Sequence, residues 1–161
     1  MTHAYTGWEP GIVDTTSRVI PAAVEARARG VLFDVGHGRG SFAFGRAEAA
    51  LADGFRPDTI STDLHRFNVP TPVTDLTTTM SKFLHLGVPV ADVISMTTTA
   101  PAAAIGRARA HGSLGVGVAA DVTVLRLEEG RFLLEDSYGA TVTARRRLVS
   151  VATFVAGRRV A

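Results

Sequence analysis

Two short stretches hold the side chains best suited to chemistry. Gly36-His37-Gly38-Arg39-Gly40 follows the apolar run Val31-Leu32-Phe33-Asp34-Val35, and Asp63-Leu64-His65 follows Thr59-Ile60-Ser61-Thr62. A carboxylate and two imidazoles that converge suit a hard or borderline cation such as zinc. The same three groups can equally form a satisfied polar network, and the residue types alone leave both readings open. Three further histidines are spread along the chain: His3, His85 and His111. His85 falls near the end of an amphipathic segment, where a cation favours the helix dipole. His111 precedes a glycine at a junction, and both read as structural or solvated.

Those positions matter because of the elements around them. Val31–Val35 and Thr59–Thr62 read as short buried strands, separated by a helical stretch from Phe42 to Ala52 that Gly54 closes. Strand, helix, strand is the unit of parallel sheets, and the carboxyl ends of such strands form the reactive face of α/β folds. An earlier helix is expected from Arg18 to Arg29, capped by Thr16 or Ser17 and stopped by Gly30. Residues 64–74 contain Pro70 and Pro72 and read as a loop. Asp75–Leu86 is helical by its apolar face of Leu76, Met80, Phe83 and Leu84, and two short helices follow at Val90–Met96 and Pro101–Ile105. From residue 111 the style changes to strands separated by glycines: Ala120–Leu125, Arg131–Leu134, Ala140–Thr143, and a hairpin of Leu148–Val155 with Arg158–Val160. The expected division is therefore 1–110 and 111–161.

Composition narrows the classes. The chain has 161 residues, 46% hydrophobic and 20% charged, enough for one ordinary core and too apolar for disorder. It has no cysteine, so thiolate nucleophiles, thiolate metal sites and disulfides are excluded. No apolar run reaches the length of a membrane span, and the N-terminus lacks the pattern of a secretory signal. A cytoplasmic setting is expected, with no membrane partner. Net charge is only +2, and all basic residues but Lys82 are arginine. The one dense cluster, Arg145-Arg146-Arg147, lacks the interleaved aromatics of a nucleic-acid surface and reads as a solvated turn or strand edge, so no nucleic-acid partner is expected.

A rival reading exists for the glycine turn. It follows a strand, opens a helix and precedes an acid at the next strand end, as in a dinucleotide-binding fingerprint. The third glycine of that motif would fall at Ser41, and no further parallel strand and helix pairs follow Asp63.

FDVGHGRGSF (33–42) with PDTISTDLH (57–65) resembles the last two barrel strands of amidohydrolase-superfamily metalloenzymes, in the amidohydrolase/deacetylase branch related to dihydroorotases. The stretch 96–125, ending in ADVTVL, is similar to the helix, glycine turn and strand that join that barrel to its β-sandwich. VATFVAGRRV (151–160) resembles the closing hairpin of the sandwich, and THAYTG (2–7) the end of the sixth barrel strand. The resemblance covers nearly the whole chain in order. It implies the C-terminal part of an α/β (β/α)₈ TIM barrel, from the end of strand six to helix eight, followed by a composite β-sandwich segment. A full barrel takes about 250 residues. The family's His-x-His pair and its strand-four and strand-five metal ligands have no counterparts here, and Lys82 lies in a helix after the last strand.

The resemblance also implies roles. His3 and Asp63 would be metal ligands, for one or two divalent ions, zinc being expected. Asp63 would also be catalytic, taking the proton from the attacking water and passing it to the leaving group. His37, with the N–H groups of Gly38 to Gly40, would steady the substrate's carboxylate or developing oxyanion, and Arg39 would be a second anion contact. His65 would orient Asp63. Asp121 lies in the sandwich motif, away from the barrel mouth, and reads as a turn residue. The implied reaction is hydrolysis of an amide or ester (N- or O-acetyl) bond of a small polar substrate. Two ligands cannot hold a catalytic metal pair, so the chain alone is expected to be an inactive fragment, its open edges covered by association or homo-oligomerisation. The alternatives are a dinucleotide-binding module and a non-catalytic interaction piece.

Overall fold

The computed structural model describes residues 1–161. Three extended segments, 1–4, 31–38 and 58–63, lie side by side and parallel. Met1 N–H donates to Leu32 O (2.7 Å), Asp34 N–H to Met1 O (2.8 Å) and Ala4 N–H to Asp34 O (3.1 Å) on one side. On the other, Val35, His37 and Gly38 donate to Thr59, Ser61 and Thr62 at 2.9–3.1 Å. The middle segment is thus bonded on both sides. Its apolar residues Phe33 and Val35 are buried, as a central parallel strand requires.

Five helices lie between and after these segments: α1 (Pro21–Ala28), α2 (Phe44–Ala52), α3 (Leu76–His85), α4 (Val90–Thr97) and α5 (Thr99–Ala104). α1 starts later than the pattern suggested. Pro21 sits at its first positions and holds Ile20 extended, while Thr16 and Arg18 donate to the Asp14 carboxylate in a turn instead of capping the helix. Its stop is the expected one. Gly30 takes φ +90° and Val31 N–H bonds back to Ala26 O (3.0 Å), satisfying a terminal carbonyl. α3 begins at Asp75, whose carboxylate accepts from Thr78 N–H (2.6 Å). Every residue from Thr79 to Leu84 is buried, because α3 is covered on more than one face.

One of those faces meets β2. The C-terminal part is a three-stranded antiparallel sheet of β1 (Val122–Glu135), β2 (Thr141–Val155) and β3 (Arg158–Arg159), in sequence order. One expectation is corrected here. The four glycine-separated strands are two long ones, since register shifts at Val124/Leu125 and Glu129/Phe132 absorb the breaks and let the ladder continue. Within this chain the unit is one sheet, and it packs on α3: Leu148 N–H donates to Ser81 Oγ (2.9 Å). Leu134, Ala144 and Leu148 join Phe33, Val35, Phe42, Phe44 and Phe83 in a single hydrophobic core, so sheet and α/β part are packed together. The architecture is a small α/β fold with an antiparallel sheet and not a closed barrel.

Candidate active site

His3, His37 and Asp63 all lie at the carboxyl ends of the three parallel segments, and their side chains have different fates. His3 itself takes φ +59°, and its Nδ1 is 2.7 Å from Gly36 O. A carbonyl only accepts, so Nδ1 carries a proton, and in the neutral imidazole Nε2 is the nitrogen with the lone pair. Gly36 must be glycine for this approach, since a Cβ there would lie 2.8 Å from His3 Nδ1.

Asp63 is exposed and also takes a positive φ, +47°. Its carboxylate leans on Gly38, where a Cβ would fall 2.7 Å from Oδ2. Gly38 itself is at φ +53° and buried. Its lack of a side chain therefore serves both the turn and the room for Asp63. His65 does not orient that carboxylate. Its Nδ1 accepts from Phe67 N–H (3.3 Å), and its backbone N–H donates to Asn68 Oδ1 (2.7 Å). Asn68 is the residue that reaches Asp63: wholly buried, it donates Nδ2–H to Asp63 O (2.9 Å) and so ties down the backbone carrying the carboxylate.

His37 turns inward. It is fully buried and stacked on Phe42 with ring centroids 4.7 Å apart. Nδ1–H donates to Gly38 O (2.8 Å), and Nε2 accepts from Lys82 Nζ (2.7 Å). Lys82, also wholly buried, makes a second bond to Pro72 O (2.7 Å). Both ring nitrogens are thus engaged, and in this arrangement the imidazole braces the turn from below with none left for an anion. Burial pushes His37 down to about 4, aided by the Lys82 charge and opposed by the Gly38 bond. Burial likewise pushes Lys82 down to about 7 against the pull of Asp136 and Glu135. Reading residue types missed this pair because its members are 45 positions apart. The available signal was that Lys82 is the only lysine in the chain. Arg39 is exposed on the turn, His85 and His111 lie apart from it, and Asp121 accepts from Ala156 N–H (2.8 Å) in the sheet.

The turn is also held from the sheet side. The tip between β1 and β2 places Asp136 Oδ2 on Phe44 N–H (3.0 Å), at the start of α2. That helix end is where a pyrophosphate would sit, and a carboxylate from the chain already occupies it. This removes the dinucleotide reading.

As a metal site the arrangement is partial. His3 Nε2 and the Asp63 carboxylate are suitable N and O donors, but no cluster of three His, Asp or Glu side chains exists in the chain. Zinc takes three or four protein ligands, so these residues do not fit a complete ion by themselves.

Comparison with known proteins agrees with this geometry. Residues 44–160 match the amidohydrolase family. The chain is 36% identical over 160 residues to a deacetylase of Enterococcus faecalis, covering 98% of this chain and 43% of that protein. A deacetylase of Agrobacterium fabrum is 38% identical over 139 residues, 86% of this chain and 34% of that one. Among solved structures, an adenine deaminase superposes with TM-score 0.94 at 35% identity over 99% of this chain and 44% of its own. A dihydroorotase gives 0.87 at 34% over 99% and 41%. The chain spans less than half the length of each of these relatives, and it belongs to the amidohydrolase family.

Proposed function

We propose that the chain forms the C-terminal part of a metal-dependent (β/α)₈-barrel hydrolase of deacetylase type, acting on an N- or O-acetyl bond of a small polar substrate. The observation that carries this reading is the placement of Asp63. It is an exposed carboxylate at the end of a parallel segment, seated against the one residue without a side chain that could displace it. The likeness to two deacetylases supports the bond class.

Asp63 is the general base, receiving a proton from water and returning it to the leaving nitrogen or oxygen. Arg39 and Gly40 face the substrate's anionic group, and Gly38 does not share in this, because its N–H is bonded to Thr62 O (2.9 Å). His37 contributes through Lys82 and the Gly38 carbonyl, as a brace. His3 and Asp63 would be donors to a divalent ion, zinc in our reading, which would need further ligands that these two residues do not supply. The isolated chain therefore binds zinc weakly and does not turn over. We also propose a cytoplasmic setting and association that covers the open flanks, where Val31, Leu32, Leu64, Phe67 and Val69 are exposed.

The test replaces the matching part of the Enterococcus faecalis deacetylase with residues 1–161. Zinc-dependent acetate release from N- or O-acetyl acids is expected from the chimera and not from the chain alone. A folded, zinc-loaded chimera that releases no acetate from either class contradicts the reading. Turnover by the isolated chain would overturn the inactivity.

A further inference from the structure

The sheet does more than cover α3, because its tip reaches into the loops that carry the candidate site. Three consecutive residues, Asp136, Ser137 and Tyr138, form that tip. The Asp136 carboxylate accepts from Tyr138 N–H (2.8 Å) and Ala140 N–H (3.0 Å) as well as from α2, which fixes the turn's own shape. Ser137 N–H donates to Phe42 O (2.9 Å), and its hydroxyl donates to Gly38 O (3.1 Å). On this base the Tyr138 ring extends across the next gap. Its hydroxyl donates to Gly40 O (2.5 Å), accepts from Gly7 N–H (2.9 Å) and lies 3.4 Å from Thr6 Oγ1. Gly7 has no side chain where one would collide: a Cβ there would lie 2.7 Å from the Tyr138 ring. Trp8 meets the same ring edge to face, with centroids 6.4 Å apart.

We propose that Tyr138 is a positioning residue for the site: its hydroxyl clasps the loop after His3 to the glycine turn after His37, setting their separation. One hydroxyl satisfies a donor on the first loop and an acceptor on the second, so neither loop can shift without breaking a bond. The clasp comes from a sheet tip 98 residues beyond Gly40 and 131 beyond Gly7, and it couples that sheet to the mouth. This inference rests on the assignment of His3 and Asp63 as site residues for its catalytic consequence, and not for the clasp itself.

Trp8 is the only tryptophan, so its emission reports the clasp directly. The experiment compares the wild-type chain with Tyr138→Phe and, from the opposite side of the contact, Gly7→Ala. Amide hydrogen exchange at position 7, relative to the intrinsic rate of the residue there, is expected to quicken at least tenfold in both, and Trp8 quenching by acrylamide to rise. The Leu148 amide, bonded to Ser81, should keep its protection. Unchanged exchange at Gly7 overturns the clasp, and equal loss at Leu148 reduces Tyr138 to general support. In the deacetylase chimera, Tyr138→Phe is expected to raise KM at least tenfold more than it lowers kcat. A clasp that opens with KM unmoved overturns the positioning role. A wild-type chimera without turnover would sink the hydrolase assignment and leave the exchange result standing.

Discussion

Lys82 and His37 form the least expected pair of side chains in the molecule. Two bases are buried together, and each has its charged form disfavoured by the absence of water. Folding therefore expels protons. Between pH 10.5, the ordinary value for lysine, and about 7, the unfolded chain takes up a proton at Lys82 that the folded one does not. Stability thus rises with pH across that window, by up to about 1.4 kcal/mol per unit. Below it, His37 adds a second loss of stability as pH falls from 6.5 toward about 4. We predict that Lys82→Met flattens the upper window, read as urea unfolding free energies at pH 7, 8 and 9. An unaltered slope would mean that Lys82 is charged when folded. Gly38 supplies a second prediction at this scale. Gly38→Ala puts a Cβ at φ +53° and against Asp63 Oδ2, for a cost of about 1–3 kcal/mol in denaturant unfolding. The type and place of His37 and Asp63 were legible in the chain. The direction of the imidazole was not, because it is decided by a lysine 45 residues away.

Helices and turns depend on a few acceptors. Asp75 caps α3 through Thr78 N–H, and Asp75→Ala is expected to cost about 1 kcal/mol. Asp136 is a heavier case. It is buried and its carboxylate serves Phe44, Tyr138 and Ala140, so Asp136→Ala leaves three backbone donors without a partner. At about 1–3 kcal/mol for each buried donor, partly recovered by water, the loss should exceed that at Asp75 severalfold. Thermal unfolding of the two variants side by side checks the order, and equal losses would contradict it. α2 has no local side-chain cap and is capped by Asp136 from the sheet. The start of α3 was readable because its cap, Asp75, is a local signal. The β1–β2 ribbon was misread as four pieces for the opposite reason. Gly130 looks like a break, yet pairing between strands carries the ladder through a register shift. Only the partner strand reveals that.

At the scale of the whole molecule, the parallel segments and the sheet share one core, and the site sits where the loops of the first meet the tip of the second. The order of elements along the chain was legible, since each strand and helix carries its own period. The docking of the tip onto the glycine turn was not, because Ser137 and Tyr138 meet their partners 95 or more residues away. The chain spans less than half the length of its relatives, and it offers two metal donors where an ion needs more. Zinc at about 100 µM should accordingly leave the thermal midpoint of the isolated chain within a degree of its metal-free value, since stabilisation follows the ratio of free ligand to Kd. A shift of several degrees would show that the chain builds a metal site unaided. The most direct measurement concerns Asp63. In the zinc-loaded chimera, Asp63→Asn keeps the shape of the side chain and removes the base. Acetate release at saturating substrate should then fall by at least about 100-fold. A kcat within a few-fold of the parent would contradict the assignment of Asp63 as the group that moves the proton.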